Sequence, residues 1–182
     1  MNPQNSSPSE VQVANPYSGD DVAAILRERG WLDAAESPEC ADWLRDAAAL
    51  LGPHAPTRDA LCDLLRLVFH YDARAILESP ESHVMLAREG AREVIRELAL
   101  QILEDREVDS DRFKEIIEVL KSRPGYRGRE LFYPIRLALA GRAGEGDLDR
   151  VILLLDRAAR LSFAAPVKGC RRRMLEFCSA LD

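Results

Sequence analysis

FKEIIEVLKSRPGYRGRELFYPIRLALAGRAGEGDLDRVILLL, residues 113–155, alternates apolar helical patterns with two glycine-bearing turns. Phe113, Ile116, Ile117 and Leu120 recur at the i, i+3, i+4, i+7 spacing of a helix with one apolar face. A basic, glycine-punctuated loop follows, with Lys121, Arg123, Gly125, Arg127, Gly128 and Arg129. Leu131 to Ala140 is then apolar except for Arg136, a helix expected near 129–140 that either begins close to Pro134 or bends there. A second glycine turn leads to Asp147, read as a cap, and to a clean face of Leu148, Val151, Ile152, Leu155, Ala158 and Ala159 over 148–161.

The same pattern extends outward in both directions, with no convincing strand. A helix over about 20–29 is announced by Ser18, three residues before Asp21, and stops at Gly30. Ser37-Pro38-Glu39 opens a second helix, which ends at Gly52-Pro53. Thr57 opens a third, with Leu61, Leu64, Leu65 and Val68 on one side, and a short fourth covers 72–78. Ser79-Pro80-Glu81 starts the longest expected helix, about 80–105, and Asp109 or Ser110 caps the next. A last helix, 167–180, carries Arg171, Arg172 and Arg173 near its start, where they oppose the helix dipole; the placement suits an anionic partner or simple surface charge. The reading is all-α, about 8–9 helices, with residues 1–17 as a disordered tail and two small helical subdomains, 18–78 and 79–182.

Composition narrows the class. At 182 residues and 47% apolar the chain can bury a sizeable core, and no run of 18 apolar residues offers a membrane span. The polar head, MNPQNSSPSE, has no apolar centre and is not a secretory signal. Cys40, Cys62, Cys170 and Cys178 form no Cys-x-x-Cys pair and fall in apolar helical patterns, which reads as reduced thiols in the cytoplasm. His54, His70 and His83 are scattered, so neither a metal nor a cofactor is expected.

Net charge is −6, but it is unevenly spread. Residues 1–110 hold 10 arginines against 21 acids, and residues 111–182 hold 15 basic residues against 10 acids. The second half is therefore net positive over the segment with the glycine loops, which is what phosphate contact requires; mixed charges on solvated helix faces are the alternative.

Residues 127–148 resemble the anticodon-binding region at the C-terminal end of bacterial glutamyl-tRNA synthetase. There a basic loop precedes a Leu-Phe-x-Pro-Leu-Arg-x-Ala-Leu-Thr-Gly helix and a Gly-Pro-x-Leu turn. Looser matches, at Leu26 to Gly30, at Trp43-Leu44-Arg45 through Thr57 and at Val68 to Asp72, extend the likeness over Asp20 to Ala165. The resemblance implies a superhelical cage of α-helices that grips an anticodon loop, with Arg136 on the stem-loop and Leu148 bordering the pocket for the first base. Three positions depart from it. Gly52 stands where the family commonly places an arginine that inspects the third base, Ala140-Gly141 replaces Thr-Gly, and Gly146 replaces the proline of the turn. These departures bear on strict reading of a glutamate anticodon, not on general affinity for RNA.

The residue chemistry suits RNA, because unpaired bases stack on aromatic or guanidinium planes and phosphates take bidentate arginine contacts. Arg123, Tyr126, Arg127 and Arg129 in the loop, with Arg136 and Leu148, are the candidate RNA-binding set. An ordinary solvated turn, and an Arg136 paired with an acid such as Glu130, are the bland counterparts. The catalytic motifs that the resemblance would require, His-x-Gly-His and Lys-x-x-Lys-Ser, have no counterpart here, nor does a phosphate loop. The expected function is a non-catalytic protein binding tRNA or another structured RNA, acting alone or with a separate catalytic protein. A protein-interaction module that kept the cage and lost RNA contact is the alternative.

Overall fold

The computed structural model describes residues 14–33, 37–104, 106–122 and 126–181. Among them the chain is all-α: α1 (Gly19–Glu28), α2 (Pro38–Leu51), a 3-10 turn (Gly52–His54), α3 (Arg58–Phe69), α4 (Ala73–Glu78), α5 (Pro80–Leu86), α6 (Ala91–Ile102), α7 (Ser110–Lys121), α8 (Gly128–Ala140), α9 (Asp147–Ala159) and α10 (Cys170–Leu181). Most of the expected tail, residues 1–13, lies outside the described residues. Asn15 and Tyr17 are described: the Asn15 amide donates to the Ala48 carbonyl at 2.9 Å, and Tyr17 packs on the core.

Local chemistry places most of the starts. Ser18, Ser37, Thr57, Asp72, Ser79 and Asp109 each accept a hydrogen bond from a backbone N–H of the helix that follows, and Ser18 with Asp21 completes a capping box. α9 differs from expectation. Gly146 holds the cap position without a side-chain bond, and Asp147 is the first helical residue, where its charge still suits the dipole. α8 runs through Pro134, which cannot donate to the Glu130 carbonyl one turn back.

The expected helix 80–105 is two helices. Gly90 adopts φ 78°, a left-handed conformation that ends one helical path and starts another. A Cβ at this position would meet Tyr126 Cε1 at 2.6 Å, so the absent side chain is also what lets the Tyr126 ring pack there. Gly90→Ala is accordingly expected to cost about 2–3 kcal/mol, from a left-handed alanine and a displaced ring. Urea denaturation would measure it, and a loss below about 0.5 kcal/mol would mean that the ring moves freely.

One apolar cluster spans the chain from Val22 to Phe177, crossing the expected border at 78–80. α2 and α3 both pack on α9, and the Trp43 indole N–H donates to the Leu154 carbonyl at 3.1 Å. Trp31, Trp43, Phe69 and Phe163 form one aromatic group, with centroid spacings between 5.0 and 6.1 Å. Cys40, Cys62 and Cys170 are buried and Cys178 half-buried, and none of the four is in a disulfide.

A polar knot ties three helix ends together. Helix C-termini leave carbonyls without intrahelical donors. Fully buried Arg173 supplies donors to two such ends and to its own approach loop: Nη2 to the Val68 carbonyl of α3 at 2.6 Å, Nη1 to the Leu139 carbonyl of α8 at 2.9 Å, and Nε to the Lys168 carbonyl at 2.8 Å. The Tyr71 hydroxyl donates to Ala138 of α8 at 2.5 Å, and the Arg173 guanidinium lies 4.6 Å from the Tyr71 ring centroid. Burial pulls Arg173 down to about 10, so it stays charged at neutral pH. What faces this arginine is thus a set of neutral carbonyl dipoles from within the chain, not an anion.

Candidate nucleic-acid interface

α8 and the turn into α9 carry most of the candidate residues. Seven residues separate Arg129 from Arg136, two helical turns, so both lie on the face of α8 that meets the turn 141–149. Gly141, at φ 85°, ends α8, and its N–H donates to the Arg136 and Leu137 carbonyls. The chain then reverses, and Leu148, fully buried, plugs it into the core. Gly144 is needed for this approach: a Cβ there would stand 2.9 Å from Leu148 Cδ1.

Arg136 is buried rather than displayed. Its Nε and Nη2 donate to the two carboxylate oxygens of Asp149 at 2.7 and 2.8 Å, and Nη1 donates to the Gly144 carbonyl at 2.7 Å. The guanidinium carbon sits 4.9 Å from the Phe132 ring centroid. Its acid is Asp149, thirteen residues along, and not the Glu130 of its own helix. Arg136 thus fixes the shape of the turn.

Arg129 is exposed. Its Nη2 lies 3.5 Å from Glu145 Oε1, an oxygen that also accepts from the Tyr133 hydroxyl at 2.7 Å. The Arg129 guanidinium carbon stands 5.7 Å from the Tyr133 ring centroid. The Glu145 bond holds the Tyr133 phenol above its ordinary range. Arg127 is exposed at the cap position of α8, with Nη1 donating to the Tyr126 carbonyl at 2.6 Å. Arg142 and Arg150 are exposed on and just beyond the same turn.

Of the remaining candidates, Arg123 lies outside the described residues, and Tyr126 is buried against Gly90, so the loop does not offer its ring for stacking. The half-buried aromatic beside Arg129 is Tyr133, four residues on along α8, which the sequence reading missed although that i, i+4 spacing could have found it. Tyr133 also walls a groove of about 300 Å³ between α5 and the turn, together with Pro80, Val84, Met85 and Ala143. At Gly52 a side chain would collide with the Asn15 amide, which occupies that space while capping α2.

Among the described residues no helix is long and apolar enough to cross a membrane, and no group of three His, Cys, Asp or Glu side chains could hold a metal ion. Fold and surface together define an all-α helical cage with an arginine-bearing helix–turn–helix face. The chain belongs to the anticodon-binding domain family, whose profile matches residues 14–162. It is 29% identical over 148 residues to the glutamate–tRNA ligase of Alkaliphilus metalliredigens (strain QYMF), covering 81% of this chain and 28% of that one. To the glutamate–tRNA ligase of Bacillus cytotoxicus (strain DSM 22905 / CIP 110041 / 391-98 / NVH 391-98) it is 28% identical over 156 residues, 82% of this chain and 31% of the relative. The Bacillus subtilis (strain 168) glutamate–tRNA ligase is 26% identical over 132 residues, covering 72% and 27%. The chain spans less than a third of the length of these relatives. No solved structure matches it.

Proposed function

We propose that this protein is a non-catalytic tRNA-binding protein of the cytoplasm, holding the RNA through the face made by α8 and the turn into α9. The observation that carries this reading is the family match over residues 14–162, which includes that face. The similarity to ligases that act on tRNA, named above, supports tRNA as the RNA. Exposed Arg127 and Arg129 make the phosphate contacts, and Tyr133 takes the stacking role that buried Tyr126 cannot. Arg136 and Leu148 act from within, by holding the turn in shape. The expected division at residue 78 into two helical subdomains is retained as a proposal, and a separately encoded catalytic protein is the proposed partner in any aminoacylation. With Asn15 filling the space beside Gly52, recognition is general rather than strict for a glutamate anticodon.

Titration with total tRNA tests the proposal. With two to four phosphate contacts on a single strand, affinity should fall about 7- to 50-fold between about 50 and about 200 mM salt. Reversing Arg127 and Arg129 together to glutamate should flatten that salt slope by about 1.4 units without unfolding the protein. Arg136 is left out of the reversal because a glutamate in its place would be buried beside Asp149. Absence of binding at low salt sinks the reading. It would favour an adaptor that kept the cage and pairs with protein, a role consistent with arginines that face carboxylates of their own chain.

A further inference from the structure

Two carboxylates of one turn meet two arginines of α8, and they do so very differently. Asp149 and Arg136 are 22% and 8% exposed and joined by two short parallel bonds, which is a permanent bolt. Glu145 and Arg129 are 72% and 73% exposed and 3.5 Å apart, a contact that water and salt can open. Yet Glu145 is not idly placed. Its Oε1 is the point on which a guanidinium and the Tyr133 hydroxyl converge, at 3.5 and 2.7 Å. Two donors aimed at a single anionic oxygen, beside an aromatic ring, are what a non-bridging phosphodiester oxygen requires. A phosphodiester carries one negative charge, as a carboxylate does.

We propose that Arg129 and Tyr133 form a phosphodiester-binding site, and that Glu145 is its built-in occupant, displaced when a phosphate arrives. The proposal rests on the RNA reading above only for the source of the phosphate. Glu145 then sets a threshold: it covers Arg129 in the free protein and discriminates against weakly held anions. Arg136, bolted by Asp149, keeps the turn in position while Glu145 swings away.

The test uses the full chain as wild type, Glu145→Gln, Glu145→Gln with Arg129→Ala, and Glu130→Gln as a charge-matched control on the exposed surface of α8. Each is titrated with total tRNA by fluorescence anisotropy, and with dimethyl phosphate by NMR of the backbone amides of the turn between α8 and α9. Glu145→Gln should tighten tRNA binding about three- to tenfold, Glu130→Gln less than about twofold, and Arg129→Ala should erase the gain. If Glu145→Gln gains no more than Glu130→Gln toward either probe, the built-in occupant is overturned. If neither wild type nor Glu145→Gln binds tRNA while Glu145→Gln alone gains affinity for dimethyl phosphate, the site stands and the RNA reading falls. A gain that survives Arg129→Ala overturns the assignment of Arg129.

Discussion

Arg173→Ala is expected to destabilise the fold by about 3–5 kcal/mol, the cost of an emptied volume plus buried carbonyls left without donors. Arg173 has no exposed surface, and its three nitrogens serve Val68, Leu139 and Lys168, carbonyls from α3, from α8 and from the loop before α10. Removing it therefore loosens three elements at once. Arg173→Met preserves most of the bulk and should cost less, about 2–4 kcal/mol, because only the polar loss remains. Urea denaturation with an unchanged slope would report both. A loss under about 1 kcal/mol for the alanine variant would show that water or rearranged backbone replaces the guanidinium.

The Arg136–Asp149 pair should behave asymmetrically. Asp149→Ala leaves a buried guanidinium with one carbonyl partner, and the expected cost is about 3–5 kcal/mol. Arg136→Met removes the charge instead and leaves Asp149 beside solvent, so about 1–3 kcal/mol is expected. The order follows from burial: the arginine side chain is 8% exposed, the aspartate 22%. Combining the two substitutions should cost less than the sum of the single ones by about 1 kcal/mol or more, since each alone strands a partner. Thermal or urea unfolding of the three variants checks the order. Equal single costs, with strict additivity, would mean that the pair is not the bolt of the turn. Folded Arg136→Met should leave the salt slope of tRNA binding unchanged when compared well below its melting temperature, which separates a shaping residue from a phosphate contact.

The likeness over residues 127–148 rested on short-range features: a basic glycine loop, an apolar helix with one arginine, and a second glycine turn. Those features lead to the family correctly, because loop and helix boundaries are encoded by neighbours in the chain. They say less about which side chains face outward. Tyr126 sits among arginines in the sequence and looks displayed, yet Gly90, thirty-six residues earlier, leaves the hollow that takes its ring. Arg136 reads as a lone cation on an apolar helix, and the turn brings Asp149 to it. The single helix expected over 80–105 missed the left-handed Gly90, since an isolated glycine in a helical pattern is often tolerated. Arg123 lies outside the described residues.

By itself the chain determined its helical character, six side-chain caps, the apolar stripes and the family motif, because capping bonds and helical periodicity act between residues three or four apart. Tertiary structure alone decided what the guanidiniums of Arg136 and Arg173 meet. Arg173 finds Val68 across 105 residues, and Arg136 finds Asp149 across a reversal of the chain. A long cation buried between helices takes whichever oxygen packing brings within reach, so the partners of these two are a property of the assembled helices. Exposed arginines such as Arg45 and Arg172 instead pair with acids three or four residues away.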